Sequence, residues 1–317
     1  SQWSVWATSP ARLGQSHAVT TGPSRRRTRS HALAAILTAV TITGCGKLDE
    51  LQYAPATTPE QWQAARPSVD VGGTVLNEPL GTFLVFLLAG LWVAVGIMFL
   101  VTRRGQRSRL WLGIALVLGG LGAAQAGISY QAFSYVLKCE GRQYCLLTNG
   151  FEVGYSLTQA ASVSAMLIAV AYACTRGGLR RGLIIYSIVN TAVYVVISLI
   201  GIYQPNATLL SFSVLMLFAL PGIVIVIVVA GAGYRRTHSA LDRSLVIAAV
   251  TLVAVQVAYF AYYAAGITAM LWDDGNGFYF SENDVLHVGM ILWLIYVAKA
   301  LNGRLVDIDS VAEVTAS

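Results

Sequence analysis

The sequence predicts an all-α integral membrane protein, a seven-transmembrane-helix bundle with its N-terminus outside and its C-terminus inside, preceded by a signal-like segment. Seven apolar segments are each long enough to cross a hydrocarbon core of about 30 Å as a helix. Only 11% of the 317 residues are charged, whereas roughly 25% are charged in an average soluble domain. Because lipid cannot bond to backbone polar groups, helices are the expected form of these segments.

Residues 1–45 combine a basic region with a short apolar segment, which is typical of a secretory signal. Several arginines between positions 25 and 29 precede an apolar run at about 32–43, which is too short to span a bilayer comfortably. The run ends in Ile-Thr-Gly-Cys, which resembles a bacterial lipobox and predicts lipidation at Cys45. The alternative is an additional, uncleaved helix.

Residues 46–79 are polar, rich in proline and without a sustained hydrophobic period. Such a composition predicts an exposed extracytoplasmic tether. The one regular element we expect in it is a short helix near positions 59–65.

The membrane domain is expected at residues 80–303, followed by a cytoplasmic tail at 304–317. Its second apolar segment is dense in glycine and alanine, so this helix should approach its neighbours closely. Pro221, in the fifth segment, should kink or loosen that helix. The seven segments lie at about 80–102, 109–136, 151–174, 181–203, 208–233, 244–268 and 284–302.

Arginines are concentrated in alternate loops, and such an excess identifies the cytoplasmic side of a membrane protein. The opposite loops carry mainly acidic side chains, with Lys138 and Arg142 as the nearby basic residues. This distribution predicts a multi-pass protein of the bacterial inner (cytoplasmic) membrane with the tether outside. The arginines in the loops after the first, third and fifth segments are Arg103, Arg104, Arg107, Arg109, Arg176, Arg180, Arg181, Arg235, Arg236 and Arg243.

Two of the cysteines, Cys139 and Cys145, lie six positions apart in a loop on the predicted outer side. An oxidising compartment favours a disulfide between them, and a pair of unreacted thiols is the alternative. Cys174, near the inner end of its helix, is expected to be a small packing residue.

Polar residues follow one face of the third segment, where Glu152, Tyr155, Ser156 and Gln159 have the spacing of a single helical side. Such a stripe should face protein or water rather than lipid. Together with polar side chains in the outer halves of other segments, it predicts an outward-facing polar and aromatic pocket. The alternative is a set of interhelical hydrogen bonds that only hold the bundle together. The predicted ligand-binding residues are Gln125, Ser129, Glu152, Tyr155, Ser156, Gln159, Tyr259, Tyr263, Asp284 and His287.

Glu152 is the most informative member of this set, because a carboxyl group inside the membrane boundary must reach the interface, find a partner or stay protonated. We expect Glu152 to line the mouth of the pocket and His287 to face it from the last helix. Asp284, one turn before His287, could complete an acid/base or metal site, but no second histidine is suitably spaced. We therefore predict no metal site and no cofactor.

The leading interpretation is a membrane protein that binds a small-molecule or lipid ligand in the outer pocket. A membrane-embedded hydrolase or transferase that uses Glu152, Asp284 and His287 is the first alternative, and a transporter or assembly subunit is the second. The expected partners are the lipid bilayer and that ligand. Nucleic acid is excluded because the basic residues lie between apolar segments rather than in a basic domain. The oligomeric state stays open.

Overall fold

The chain folds into a helical bundle with a small β-hairpin at one end. A computed structural model describes residues 46–273 and 277–310, so Cys45 and the signal-like segment lie outside the described residues. In chain order the elements are α1 (Pro59–Ala64), β1 (Ser68–Val71), β2 (Thr74–Asn77), α2 (Pro79–Val101), α3 (Arg107–Ala126, continued by a π-helical turn over Gly127–Ala132), α4 (Ser134–Lys138), α5 (Gly150–Cys174), α6 (Gly177–Tyr203), α7 (Phe212–Thr237), α8 (Ala240–Ala264), α9 (Ile267–Asp273) and α10 (Glu282–Leu301).

Seven of these helices are long and apolar enough to cross a membrane, which confirms a multi-pass α-helical membrane protein. They are α2, α3, α5, α6, α7, α8 and α10, and each matches one predicted segment to within about four residues at either end, apart from the end of α3. The second segment differs most, because regular helix stops before Phe133 and a separate short helix, α4, follows. The helix α7 continues through Pro221.

Six of the seven helices form a closed ring. Going round it, α2 contacts α3, α3 contacts α5, α5 contacts α7, α7 contacts α8, α8 contacts α10, and α10 returns to α2. The remaining helix, α6, packs against α5 and more lightly against α7 from outside the ring. A ring of six helices leaves space along its axis, and this space contains the candidate site.

The helices α2 and α3 approach each other closely, as the glycine-rich second segment predicted. A Cβ atom placed on Gly96 would lie 2.9 Å from the carbonyl oxygen of Gly113. A Cβ atom placed on Gly113 would likewise lie 2.9 Å from the carbonyl oxygen of Gly96. Both helices therefore depend on glycine at this crossing.

Residues 46–77 form an ordered cap, which contains the predicted short helix as α1 and the hairpin of β1 and β2. Many of its side chains are exposed. Trp62, on the predicted short helix, is buried beside the cysteine loop. The backbone N–H of Cys145 donates to the carbonyl of Thr57 at 2.9 Å, and that of Leu147 donates to the carbonyl of Leu51 at 2.8 Å. This pairing joins residues about ninety positions apart, so no local periodicity could predict it.

The predicted disulfide between Cys139 and Cys145 is present, and both residues are fully buried under the cap. We call this end of the bundle, with residues 46–77 and 139–149, the cap end. The opposite end, with residues 102–109, 175–181 and 302–310, is the arginine end.

Alkylation of the unreduced, denatured protein should modify Cys174 but leave Cys139 and Cys145 unmodified, because only Cys174 is free among the cysteines that the structure describes. Mass spectrometry of the cysteine peptides reads out the result, with Cys174 as the internal control. Alkylation of Cys139 before any reductant is added would contradict the disulfide.

The chain after α10 folds back over the arginine end. The carboxylate of Asp307 accepts hydrogen bonds from the N–H groups of Arg107 and Ser108, both at 2.8 Å, where α3 begins. An acidic group suits a helix N-terminus because the N–H groups there have no partner within the helix. Asp309 pairs with Arg180 at 2.7 Å, and this hydrogen bond lowers the pKa of the Asp309 carboxyl. Residues 302–310 thus connect α10 to α3 and α6.

Candidate functional site

The ring of six helices encloses a cavity of about 630 Å³ near the cap end. All six ring helices contribute side chains to its wall, and Tyr53 of the cap reaches it as well. Among the lining residues, none comes from α6, which agrees with the position of that helix outside the ring. The volume lies within the roughly 300–1,000 Å³ that is usual for ligand sites in proteins.

On α3, α5, α8 and α10 the wall of the cavity changes from polar to apolar with depth, whereas α2 and α7 contribute hydrophobic side chains along its length. On α10, Glu282 and His287 lie nearer the cap end, and Met290 and Trp293 follow deeper in the bundle. From Glu282 to Trp293 the helix rises about 16 Å. The helix α8 runs in the opposite direction and shows the same order in space. Its tyrosines and Gln256 lie nearer the cap end, and Leu252 lies deeper, toward the arginine end. A molecule that fills this space would meet polar groups at one end and hydrocarbon at the other.

Five tyrosines surround the polar end of the cavity. The rings of Tyr130 and Tyr155 meet edge to face, with their centroids 6.1 Å apart. Tyr263 lines the cavity although 65% of its surface is exposed, so the cavity reaches the molecular surface near the end of α8. The five are Tyr53, Tyr130, Tyr155, Tyr259 and Tyr263.

Four residues of the cavity wall carry a buried polar atom that has no hydrogen-bond partner in the part of the chain that the structure describes. They are Trp92 (Nε1), Gln131 (Oε1), Gln256 (Oε1) and His287 (Nδ1). A buried polar atom without a partner typically costs about 1–3 kcal/mol, so most such atoms in proteins are paired. Their concentration around one cavity favours a polar ligand there.

The structure divides the predicted ligand-binding residues into two groups. Those that line the cavity are Tyr155, Gln159, Tyr259, Tyr263 and His287. Those outside its wall are Gln125, Ser129, Glu152, Ser156 and Asp284. The second group makes contacts within and between helices: for example, Ser156 donates to the carbonyl of Glu152 at 3.0 Å on its own helix.

Glu152 differs most from expectation. It is buried and forms an ion pair with Lys138, rather than lining the mouth of the pocket opposite His287. Ser129 donates a hydrogen bond to the same carboxylate at 2.8 Å, and Asn149 in turn donates to Ser129 at 2.7 Å. The reason is the break at Phe133, after which α4 brings Lys138 back over the beginning of α5.

Lys138 also connects the ion pair to the cavity. Its ammonium group lies 3.2 Å from the hydroxyl of Tyr53 and 3.2 Å from the carbonyl of Leu147. Tyr53 belongs both to the cap and to the cavity wall. The Lys138–Glu152 pair therefore positions one side chain of the cavity, although neither charged residue lines it.

Asp284 forms a capping box with Ser281 at the N-terminus of α10. One of its carboxylate oxygens accepts hydrogen bonds from the backbone N–H of Ser281 at 2.7 Å and from its hydroxyl at 3.0 Å. Among the described residues, neither Glu152 nor Asp284 forms a hydrogen bond or ion pair with His287. Within the described ranges, no group of three His, Cys, Asp or Glu side chains is placed to hold a metal ion.

The sequence did not single out Tyr53, Tyr130, Gln131 or Asn283, all of which line the cavity. Tyr130 and Gln131 lie in the π-helical turn. The spacing of a regular α-helix does not hold in such a turn, so it cannot predict which side of the helix these residues occupy. Tyr53 lies in a segment without periodicity. The adjacent polar pair at 130–131, inside an apolar segment, was the available signal.

No family model, no curated protein and no solved structure matches the chain. The function of the protein is therefore inferred from the site alone.

Proposed function

We propose that the protein binds an amphipathic, lipid-like small molecule inside the six-helix ring, with the polar head at the cap end and the apolar part toward the arginine end. The observation that supports this proposal is the gradient along the cavity, from tyrosine, glutamine and histidine to Met290 and Trp293. The unpartnered atoms of Gln256 and His287 at the polar end add donors and acceptors for a head group.

The charges around the cavity disfavour an anionic head group. No lysine or arginine is found among the lining residues that the structure describes. Lys138, which contacts the cavity residue Tyr53, is paired with Glu152. The carboxylate of Glu282 accepts a hydrogen bond from Thr268 at 2.9 Å and would repel an anion. A hydroxyl or carbonyl head group therefore fits better than a phosphate or carboxylate.

We infer that the cap end faces outward in a bacterial inner membrane and that the arginine end faces the cytoplasm. Two independent features support this orientation: the arginine-rich loops share one end of the bundle, and the disulfide lies at the other. A cleaved signal with lipidation at Cys45 belongs to the same proposal. The site would then be open toward the outer side of the membrane.

Fusions to alkaline phosphatase should test the orientation. The enzyme should be active when fused after Gly277, at the cap end, and inactive when fused after Arg236, at the arginine end, because it folds only outside the cytoplasm. A cytoplasmic reporter fused at the same two positions should give the opposite pattern. Active phosphatase after Arg236 would reverse the orientation and place the cavity mouth in the cytoplasm.

Quenching of tryptophan fluorescence should test ligand binding. Trp92 and Trp293 lie at the deep end of the cavity with ring centroids 6.2 Å apart. A long-chain alcohol brominated near its tail should quench them saturably in the purified protein, whereas the matching brominated fatty acid should bind more weakly.

The matched variants are Ala219→Phe and Leu220→Phe. Ala219 lines the cavity and is buried, whereas its neighbour Leu220 is 51% exposed on the outside of α7. Filling the cavity should weaken binding about tenfold or more, which corresponds to about 1.4 kcal/mol, and Leu220→Phe should leave binding unchanged. Equal, unsaturable quenching in both variants would mean that the polar residues only join helices.

A further inference from the structure

Two carboxylate oxygens and an amide side chain converge next to Gly81, beside the cavity and at the start of α2. A Cβ atom placed on Gly81 would lie 3.0 Å from Oδ1 of Asp284 and 3.5 Å from Oε2 of Glu78. The side chain of Gln131 approaches the same point, with its Cγ at 3.4 Å. Among the described residues, Oε2 of Glu78, Oδ1 of Asp284 and Oε1 of Gln131 all have no hydrogen-bond partner.

Each carboxylate uses one oxygen for structure and leaves the other free. Oε1 of Glu78 accepts a hydrogen bond from the hydroxyl of Tyr279 at 3.2 Å and lies 3.5 Å from the guanidinium of Arg66. The other oxygen of Asp284 is held by the backbone and side chain of Ser281. These contacts fix the two groups, so their free oxygens are held together rather than converging by chance.

The three side chains are buried: their exposed fractions are 4% for Glu78, 1% for Asp284 and 2% for Gln131. Glu78 also has a left-handed backbone conformation, with φ of 45°, which is uncommon for a residue other than glycine. Strained backbone of this kind persists where its surroundings hold it in place, and it is often found at functional sites.

The charges in this cluster do not balance. When both are ionised, Glu78 and Asp284 carry two negative charges, and Arg66 is the cation paired with Glu78. A buried charge without compensation is strongly unfavourable. One further positive charge next to Gly81 would balance the cluster, and carboxylate and amide oxygens are the ligands that hard cations prefer.

We propose that Glu78 and Asp284, with the side chain of Gln131 beside them, form a binding site for a hard metal cation, with Na⁺ as the ion that balances the charge. The site differs from the ligand cavity of the proposed function and does not depend on it. Gln131 belongs to both, so occupation of one should affect the other. The competing explanation is that the two carboxyl groups share a proton and exclude metal ions.

Thermal unfolding of the purified full-length protein in detergent distinguishes these explanations. The titration uses NaCl against choline chloride at constant ionic strength, with CaCl₂ as a separate arm. It is run at about pH 8, above the pKa of about 7 to which burial raises the Glu78 carboxyl. Sodium near 100 times its dissociation constant should raise the Tm by roughly 5 °C.

Gly81→Ala is the sharpest variant, because its methyl group would crowd the space next to Oδ1 of Asp284 and Oε2 of Glu78 without removing either carboxylate. Gly90→Ala is the matched control on the same helix, since a Cβ atom there would meet nothing within 4 Å. Asp284→Asn keeps the size of the side chain and removes a charge, and Glu50→Gln does the same at an exposed position. Sodium should stabilise the wild type and both controls, but neither Gly81→Ala nor Asp284→Asn.

Two results would overturn the site. One is a wild-type Tm that responds no more to sodium or calcium than to choline, which would assign the pair to a shared proton. The other is an undiminished sodium effect in both Gly81→Ala and Asp284→Asn. A larger response to calcium than to sodium would support a metal site with these ligands and correct only the choice of ion.

Discussion

Replacement of Lys138 by methionine should lower the free energy of unfolding by about 3–5 kcal/mol, the usual cost of breaking a buried ion pair. The variant leaves the Glu152 carboxylate buried, with Ser129 as its remaining hydrogen-bond donor. Methionine preserves most of the volume of the lysine side chain. The loss of stability should therefore result from the missing charge and not from a cavity. Unfolding in detergent, followed by circular dichroism, gives the measurement.

Two further variants make this prediction specific. Adding Glu152→Gln to Lys138→Met should restore much of the lost stability, because an amide needs no counter-ion. The exposed pair between Arg142 and Asp49, 3.6 Å apart in the same region, provides the control. Arg142→Met should cost less than about 1 kcal/mol. If Lys138→Met lowers the free energy of unfolding by no more than Arg142→Met does, the buried ion pair stabilises the fold no more than a surface pair, and the prediction is wrong.

Replacement of Gly113 by valine should destabilise the protein by about 1–3 kcal/mol, the usual cost of overpacking. A Cβ atom at this position would lie 2.7 Å from the side chain of Leu100 and 2.9 Å from the backbone of Gly96. The backbone cannot move aside as a flexible side chain can, so α2 and α3 would have to separate. Thermal unfolding of the purified variant measures the loss.

Gly90→Val is the matched control for this prediction. Gly90 lies on α2 as Gly96 does, but nothing stands within 4 Å of its Cβ position. Its replacement should be neutral or slightly stabilising, because glycine is a poor helix former. Equal losses at Gly113 and Gly90 would show that valine itself, and not the contact between α2 and α3, causes the effect.

The seven membrane segments could be predicted because a long apolar run is a local property of the sequence. The third segment, predicted at 151–174, is the helix Gly150–Cys174. The disulfide was equally local, since Cys139 and Cys145 lie six positions apart. The small residues around Gly113 also predicted that α3 would contact a neighbour closely, because two helices can approach closely only where their facing residues are small. This requirement does not depend on which helix is the neighbour.

The cap and much of the cavity wall could not be predicted in this way. Thr57 pairs with Cys145 across a long stretch of chain, and the sequence of neither segment specifies that partner. The π-helical turn moves Tyr130 and Gln131 onto the cavity wall, out of the register of a regular helix. The importance of Gly81 is visible only once Glu78, Asp284 and Gln131 lie beside it, and these residues come from separate parts of the chain.

The sequence by itself determined the seven membrane helices of the described residues, their approximate ends and the fact that the polar face of α5 is turned away from lipid. Only the tertiary structure decided what that face meets: a cavity at Tyr155 and Gln159, and an ion pair with Lys138 at Glu152. The physical reason is that periodicity fixes which side of a helix is polar, whereas the order of helices around the ring fixes which neighbour lies against it.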